Sequence, residues 1–121
     1  MGKPEGNTGF TRLINATRFS WRGWGAALRF EAAFRQEMAA TLVFVPLALW
    51  LGDTGVEKAV MIASWMLVPI VELLNSAMET ALDRISEEHH PLAGRAKDMG
   101  SAAVLTSLLT AGAVWGLILF F

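Results

Sequence analysis

The sequence predicts an all-α membrane protein, with one amphipathic surface helix followed by three transmembrane helices. Three observations carry this expectation. Of 121 residues, 54% are hydrophobic and 17% are charged, an apolar balance for a chain of one-domain length. Three long apolar stretches fill most of the chain after residue 31, and a membrane crossing needs about 20 such residues. Ahead of them, arginines are interleaved with bulky apolar side chains, a composition suited to the membrane interface.

The surface segment spans residues 8–30. Arg12, Arg18, Arg22 and Arg29 are mixed there with Phe10, Leu13, Ile14, Phe19, Trp21, Trp24 and Leu28. Tryptophan favours headgroup depth, so Trp21 and Trp24 are expected there. Gly23 and Gly25 are expected to break or bend the helix. A plain tether to anionic lipid explains most of these residues equally well. The first transmembrane helix is placed at 31–52. Its apolar run, Met38 to Leu51, reaches only about 21 Å at 1.5 Å per residue, so it must extend back through Glu31 to Glu37. The second helix is placed at 59–84 and contains Glu72, Asn75 and Glu79. The third, 100–121, carries no charge from Ser101 onward. Pro46 and Pro69 lie inside spans, where each removes a backbone hydrogen bond and is expected to kink its helix.

The Lys and Arg distribution predicts orientation. The N-terminal segment carries Lys3, Arg12, Arg18, Arg22, Arg29 and Arg35, the first loop only Lys58, and the second loop, which includes residues 94–101, carries Arg84, Arg95 and Lys97. The positive-inside rule then places the N-terminus and the second loop in the cytoplasm, where ATP is available. The opening residues hold no apolar run with a cleavage site, so a cleaved signal peptide is not expected. A net charge of −1 gives no pointer to nucleic acid, and the absence of cysteine excludes disulfides, thiolate metal sites and a cysteine nucleophile.

The chemistry is concentrated in E-L-L-N-S-A-M-E-T-A-L-D-R, residues 72–84. Asn75, Glu79 and Asp83 follow Glu72 by three, seven and eleven positions, which puts each within about 60° of Glu72 around a helix. A carboxylate inside a span costs roughly 2.5–3.5 kcal/mol on insertion scales. Glu72 is flanked by Leu67, Val68, Ile70, Val71, Leu73 and Leu74, so it has no route to water along its own helix. Apolar surroundings disfavour the charged carboxylate and move it towards general-base strength. A hydrogen bond between helices is the competing explanation. At the mouth of the third helix, G-R-A-K-D-M-G-S (94–101) offers Arg95 and Lys97 to phosphate and Asp98 to a cation or an amine. Arg95 reads equally as a topology signal. No P-loop spacing and no soluble protein-kinase motif is present. Carboxylates with a lysine, and no thiol, favour Mg²⁺ over softer metals, and Mg²⁺ with phosphate suggests phosphoryl transfer. These residues alone do not separate a kinase from a proton-coupled channel or transporter.

The motifs G-F-T-R (9–12), E-A-A-F-R-Q-E (31–37), V-E-L-L-N-S-A-M-E-T-A-L-D-R (71–84) and G-R-A-K-D-M-G-S-A-A-V (94–104) resemble those of the prokaryotic integral-membrane diacylglycerol kinases. The resemblance covers nearly the whole chain, residues 1–121 as one kinase domain. It implies a homotrimeric bundle with shared sites, in a bacterial inner membrane, transferring the ATP γ-phosphate to the primary hydroxyl of diacylglycerol to give phosphatidic acid. Glu72 would be the catalytic base, and Glu31 and Glu79 would hold Mg²⁺. The nucleotide site would include Arg12, Phe19, Glu31, Asn75, Glu79, Asp83, Glu88, His90, Lys97 and Asp98. Phe19 stands where relatives can carry tyrosine, so a hydrogen bond from that hydroxyl is missing. The lipid substrate would meet Arg12, Ala33, Arg35, Glu37, Trp50, Glu72, Ser101 and Trp115. His90 is otherwise a solvated loop residue, as His89 is taken to be. Gly112 and Gly116 give a G-x-x-x-G spacing that suits close helix contact, within or between chains. Undecaprenol kinase on the same fold, a proton- or cation-conducting oligomer, and a lipid-binding protein without turnover are the alternatives.

Overall fold

A computed structural model describes residues 8–85 and 90–121. Among these residues the chain forms four helices: α1 (Gly9–Phe30), α2 (Ala32–Leu51), α3 (Gly55–Ile85) and α4 (Pro91–Phe120). The last three are long and apolar enough to cross a membrane. Glu88, expected at the nucleotide site, and His89 lie outside the described residues.

Local sequence explains where each helix starts and stops. Glu31 alone separates α1 from α2, in an extended conformation with φ −116° and ψ 106°. Its N–H still closes the last turn of α1 on the Ala27 carbonyl (2.9 Å), and its carbonyl opens α2 by accepting from Arg35 N–H (3.2 Å). The Arg35 guanidinium reaches back to the Leu28 and Arg29 carbonyls at 3.0 and 3.1 Å, covering acceptors that a helix end leaves unpaired. The link from α2 to α3 is equally short. Thr54 Oγ1 accepts from Glu57 N–H (3.1 Å), Glu57 Oε1 accepts from Asp53 N–H (3.0 Å), and Lys58 Nζ donates to the Gly52 carbonyl (2.8 Å). These caps start α3 at Gly55, four residues before the expected 59.

Two expectations are corrected. Gly23 and Gly25 do not interrupt α1, which runs unbroken through both. Glycine costs about 1 kcal/mol in a helix interior, and a helix of 22 residues has enough other turns to absorb it. Residues 94–101 are not a loop either: they form early turns of α4, which begins at Pro91. His90 Nδ1 accepts from Leu92 N–H at 3.0 Å, and proline at the first helical position has its φ already set. His90 is therefore the N-cap of α4. Pro46 and Pro69 both lie inside continuous helices, and Pro69 is buried.

Packing centres on α3, which lies against both α2 and α4. Trp65, Val68 and Ala111 form the core, with Ala40, Phe44 and Met66 against them. Phe44 meets the rings of Trp65 and Trp115 edge-on at 4.6 and 5.6 Å, a preferred aromatic geometry. Each indole also ties two helices together. Trp65 Nε1 donates to Thr41 Oγ1 on α2 (2.8 Å), and Trp115 Nε1 donates to the Met61 carbonyl on α3 (2.9 Å). By contrast α1 buries only Ala27. Added Cβ atoms at Gly112 and Gly116 would touch nothing within 4 Å, so their spacing serves no contact within this chain.

Thr41→Val keeps the shape of residue 41 and removes the acceptor of Trp65. The variant should lose about 0.6 kcal/mol, the average for hydrogen bonds between membrane helices, and at most about 1.7 kcal/mol, read as an earlier midpoint in detergent unfolding. An unchanged midpoint would show that the bond contributes nothing.

Candidate active site

The middle of α3 gathers the polar groups. Glu72 is 7% exposed and Ser76 equally so, one helical turn apart. Ser76 Oγ donates to Glu72 Oε1 at 3.5 Å, and Asn75 Nδ2 donates to Glu79 Oε1 at 3.4 Å. The stripe expected from spacing thus consists of two i,i+4 pairs, with Ser76 as a member that the reading of carboxylates alone passed over. The i+4 position from Glu72 was the available signal.

Other helices add to this cluster. Glu37 comes from α2 and its Oε1 is buried with no hydrogen-bond partner. It repels Glu72 electrostatically, and Glu72 in turn feels Glu79 and Glu31. Four carboxylates from the α1–α2 junction, α2 and α3 therefore share one electrostatic neighbourhood. Among the described residues none of the four forms an ion pair. Lys97, whose charge is attracted to Glu79, is held instead on Asp83 Oδ1 at 2.7 Å. Both partners of that pair are substantially exposed, and water screens such a pair to little net stability. It can be exchanged for another anion at little cost.

A cleft of about 940 Å³ opens beside the cluster, between α1 and α3. Ser20, Gly23, Trp24, Ala26, Ala27, Phe30 and Glu31 form one wall, and Leu73, Ser76, Ala77 and Thr80 the other. The walls are mainly apolar, with Glu31 and Ser76 as the polar groups nearest Glu72. The Glu31 side chain makes no capping hydrogen bond, which leaves its carboxylate available at the cleft.

The structure brings together Glu31, Glu37, Glu72, Asn75 and Glu79, with Asp83 and Lys97 at the adjoining helix ends. Ala33 and Arg35 are exposed on the first turn of α2, and Asp98 and Ser101 are exposed on α4. Arg12 and Phe19 are exposed on α1, where Phe19 carries the Arg22 guanidinium over its ring. Arg12 lies nineteen residues before Glu31, roughly 28 Å along a helix, so one chain does not join it to the cluster. Trp50 is 79% exposed near the far end of α2. Trp115 is level with Met61, roughly 16 Å along α3 from Glu72. No three His, Asp or Glu side chains among the described residues could by themselves hold a metal.

These features define a multi-span membrane protein with an oxygen-lined polar site near one end of its helix bundle. A family model for prokaryotic diacylglycerol kinase matches residues 18–119, and the chain belongs to that family. It is 52% identical to a diacylglycerol kinase of Escherichia coli over 113 residues, 93% of each chain. It is 51% identical to one of Haemophilus influenzae over 114 residues, 94% of this chain and 97% of the relative. Against that of Pseudomonas aeruginosa it is 49% identical over 115 residues, 95% and 94%.

Arg35→Ala should uncover the carbonyls at the end of α1. Two lost bonds of about 0.5–1.5 kcal/mol each predict roughly tenfold faster hydrogen exchange at Glu31 N–H and its neighbours. Unaltered exchange would show that Arg35 does not secure this junction.

Proposed function

We propose that this protein is an ATP-dependent diacylglycerol kinase that transfers the γ-phosphate to the primary hydroxyl of diacylglycerol, yielding phosphatidic acid and ADP. One observation carries the reading: Glu72, buried in a membrane-crossing helix, stands beside an open cleft in a chain whose relatives bear this name over nearly their full length. The relatives' name favours diacylglycerol over undecaprenol. A conducting oligomer accounts for buried carboxylates but not for the agreement with those relatives.

The chain's own groups support a simple sequence of events. The lipid hydroxyl enters from the cleft between α1 and α3 and meets Glu72. The Glu72 carboxylate takes the hydroxyl proton as the oxygen attacks the γ-phosphorus. The bond from that phosphorus to the β,γ-bridging oxygen breaks, and ADP leaves with the electron pair. Ser76 restrains Glu72 by its hydrogen bond, and Asn75 restrains Glu79. Lys97 leaves Asp83 to meet phosphate, where a positive charge gains more than in an exposed pair. Phosphoryl transfer consists largely of such positioning and neutralisation. Proton transfer by a positioned carboxylate contributes about 10²–10⁴-fold.

Mg²⁺ fits the donor set. All its candidate ligands are oxygens, the carboxylates carry no protein cation among the described residues, and Mg²⁺ typically takes one or two carboxylates together with phosphate and water. Glu31 and Glu79 would hold the ion, which supplies neutralisation of the β- and γ-phosphate oxygens.

The assembly follows the same reasoning. A homotrimer in the bacterial inner membrane, with its N-terminus and active site cytoplasmic, covers what a single chain leaves open. Much of α2 and α4 is exposed, and Arg12 lies too far along α1 to serve its own Glu72. A neighbouring subunit supplies these parts, so Arg12, Phe19, His90 and Asp98 join nucleotide sites shared between chains. In this arrangement α1 lies as an amphipathic helix in the interface plane. Ala33, Arg35, Glu37 and Ser101 border the lipid headgroup, and Trp50 and Trp115 meet its acyl chains further along the bundle.

In lipid-doped micelles with ATP and Mg²⁺, the protein should phosphorylate diacylglycerol in strong preference to undecaprenol. Preference for undecaprenol would overturn the substrate assignment, and transfer to neither by a folded oligomer would overturn the kinase reading. Glu31→Gln and Glu79→Gln should each raise the Mg²⁺ concentration for half-maximal rate by about tenfold or more, since a ligand is lost. An unchanged Mg²⁺ titration would contradict their role.

A further inference from the structure

Gly100 stands ten residues into α4, where glycine is about 1 kcal/mol worse than alanine. Unlike Gly112 and Gly116, it has a close neighbour. A Cβ added there would run into Asn75 Oδ1, lie 3.1 Å from Asn75 Cγ and 2.8 Å from Met78 Cε. The Met78 methyl is the end of a flexible side chain and can move. The Asn75 amide is restrained, because its Nδ2 is committed to Glu79 Oε1. The NH₂ group therefore faces Glu79 and Oδ1 faces α4. That oxygen is buried and has no partner.

We propose that Gly100 is a positioning residue for the phosphoryl-transfer site: its missing side chain leaves the space in which Asn75 lies, with Nδ2 on Glu79 and Oδ1 unspent. The proposal rests on the kinase reading above, in which Glu79 holds Mg²⁺. A Cβ at residue 100 displaces the amide, and Glu79 then loses its orienting donor. Gly100 touches neither substrate nor metal and acts only through Asn75.

The test is a double-mutant cycle on the full-length oligomer, using Gly100→Ala, Asn75→Ala and the pair, with Met78→Ala/Gly100→Ala as a control. Two readouts are taken: the Mg²⁺ dependence of diacylglycerol phosphorylation, and the rise in Tm on adding Mg²⁺ with a non-hydrolysable ATP analogue. Gly100→Ala should lower kcat/KM about 10²-fold, as a misplacement near 1 Å does, and should shrink the analogue-induced rise in Tm. Shortening Met78 should not restore either quantity. In the Asn75→Ala background the same substitution should have no further effect, because the amide it displaces is gone. Multiplicative losses in the pair, or full rescue by Met78→Ala, would overturn the proposal in favour of helix packing. If Gly100→Ala does not fold, recovery of folding in the Asn75→Ala pair supports the proposal, and failure of the pair where Asn75→Ala folds overturns it. Absence of turnover in the unsubstituted protein would fail the kinase reading, whereas the Tm readout and the folding of the pair would still decide the contact.

Discussion

Hydrocarbon offers no partner to a carboxylate, so every feature of this bundle has to accommodate Glu72. A charged side chain at that depth costs roughly 2.5–3.5 kcal/mol on insertion scales, and Glu72 meets it by burial in protein rather than lipid. The arrangement depends on α3 being central. Below Glu72, Trp65 and Val68 pack with Ala111 of α4, and Trp65 is pinned to α2 through Thr41. Those contacts hold both neighbours against α3 and keep the lower bundle closed. Above them the same helices diverge from pure hydrocarbon packing into Ser76, Asn75, Glu79 and Glu37, beside the cleft bordered by α1.

The site's electrostatics then set its chemistry. Carboxylates that repel one another are tolerated when a cation joins them, and among the described residues no lysine or arginine does so. The available protein cation, Lys97, waits on Asp83 in an exposed pair. In the proposed reaction, a magnesium–nucleotide complex held by Glu31 and Glu79 would supply the missing positive charge, and its phosphates would offer Lys97 an anion in place of Asp83.

Much of this was legible in the sequence and the remainder was not, for physical reasons. Spacing alone aligned Glu72, Asn75, Glu79 and Asp83, because a helix of 31 residues obeys its period regardless of its neighbours. Three apolar runs gave three spans, since length and composition decide them. Boundaries were less readable. The start of α4 depends on a His90 cap followed by Pro91, and that of α3 on the Thr54 hydroxyl accepting from Glu57 N–H, so charged residues near 94–101 passed for a loop. Gly23 and Gly25 suggested breaks that local helix strength overrides. Contacts across helices were not encoded in any local pattern: nothing near Trp115 points to the Met61 carbonyl, and nothing near Gly100 points to Asn75.

The most direct test of this account compares unsubstituted protein with Glu72→Gln in the same diacylglycerol-doped micelles, measuring phosphatidic acid formation and binding of a non-hydrolysable magnesium–nucleotide. Glutamine preserves the shape of residue 72 and removes the proposed base. Turnover should fall by about 10²–10⁴-fold, with nucleotide affinity and oligomer mass unchanged. Near-normal turnover in the glutamine variant would contradict the assignment of Glu72 as the group that takes the proton.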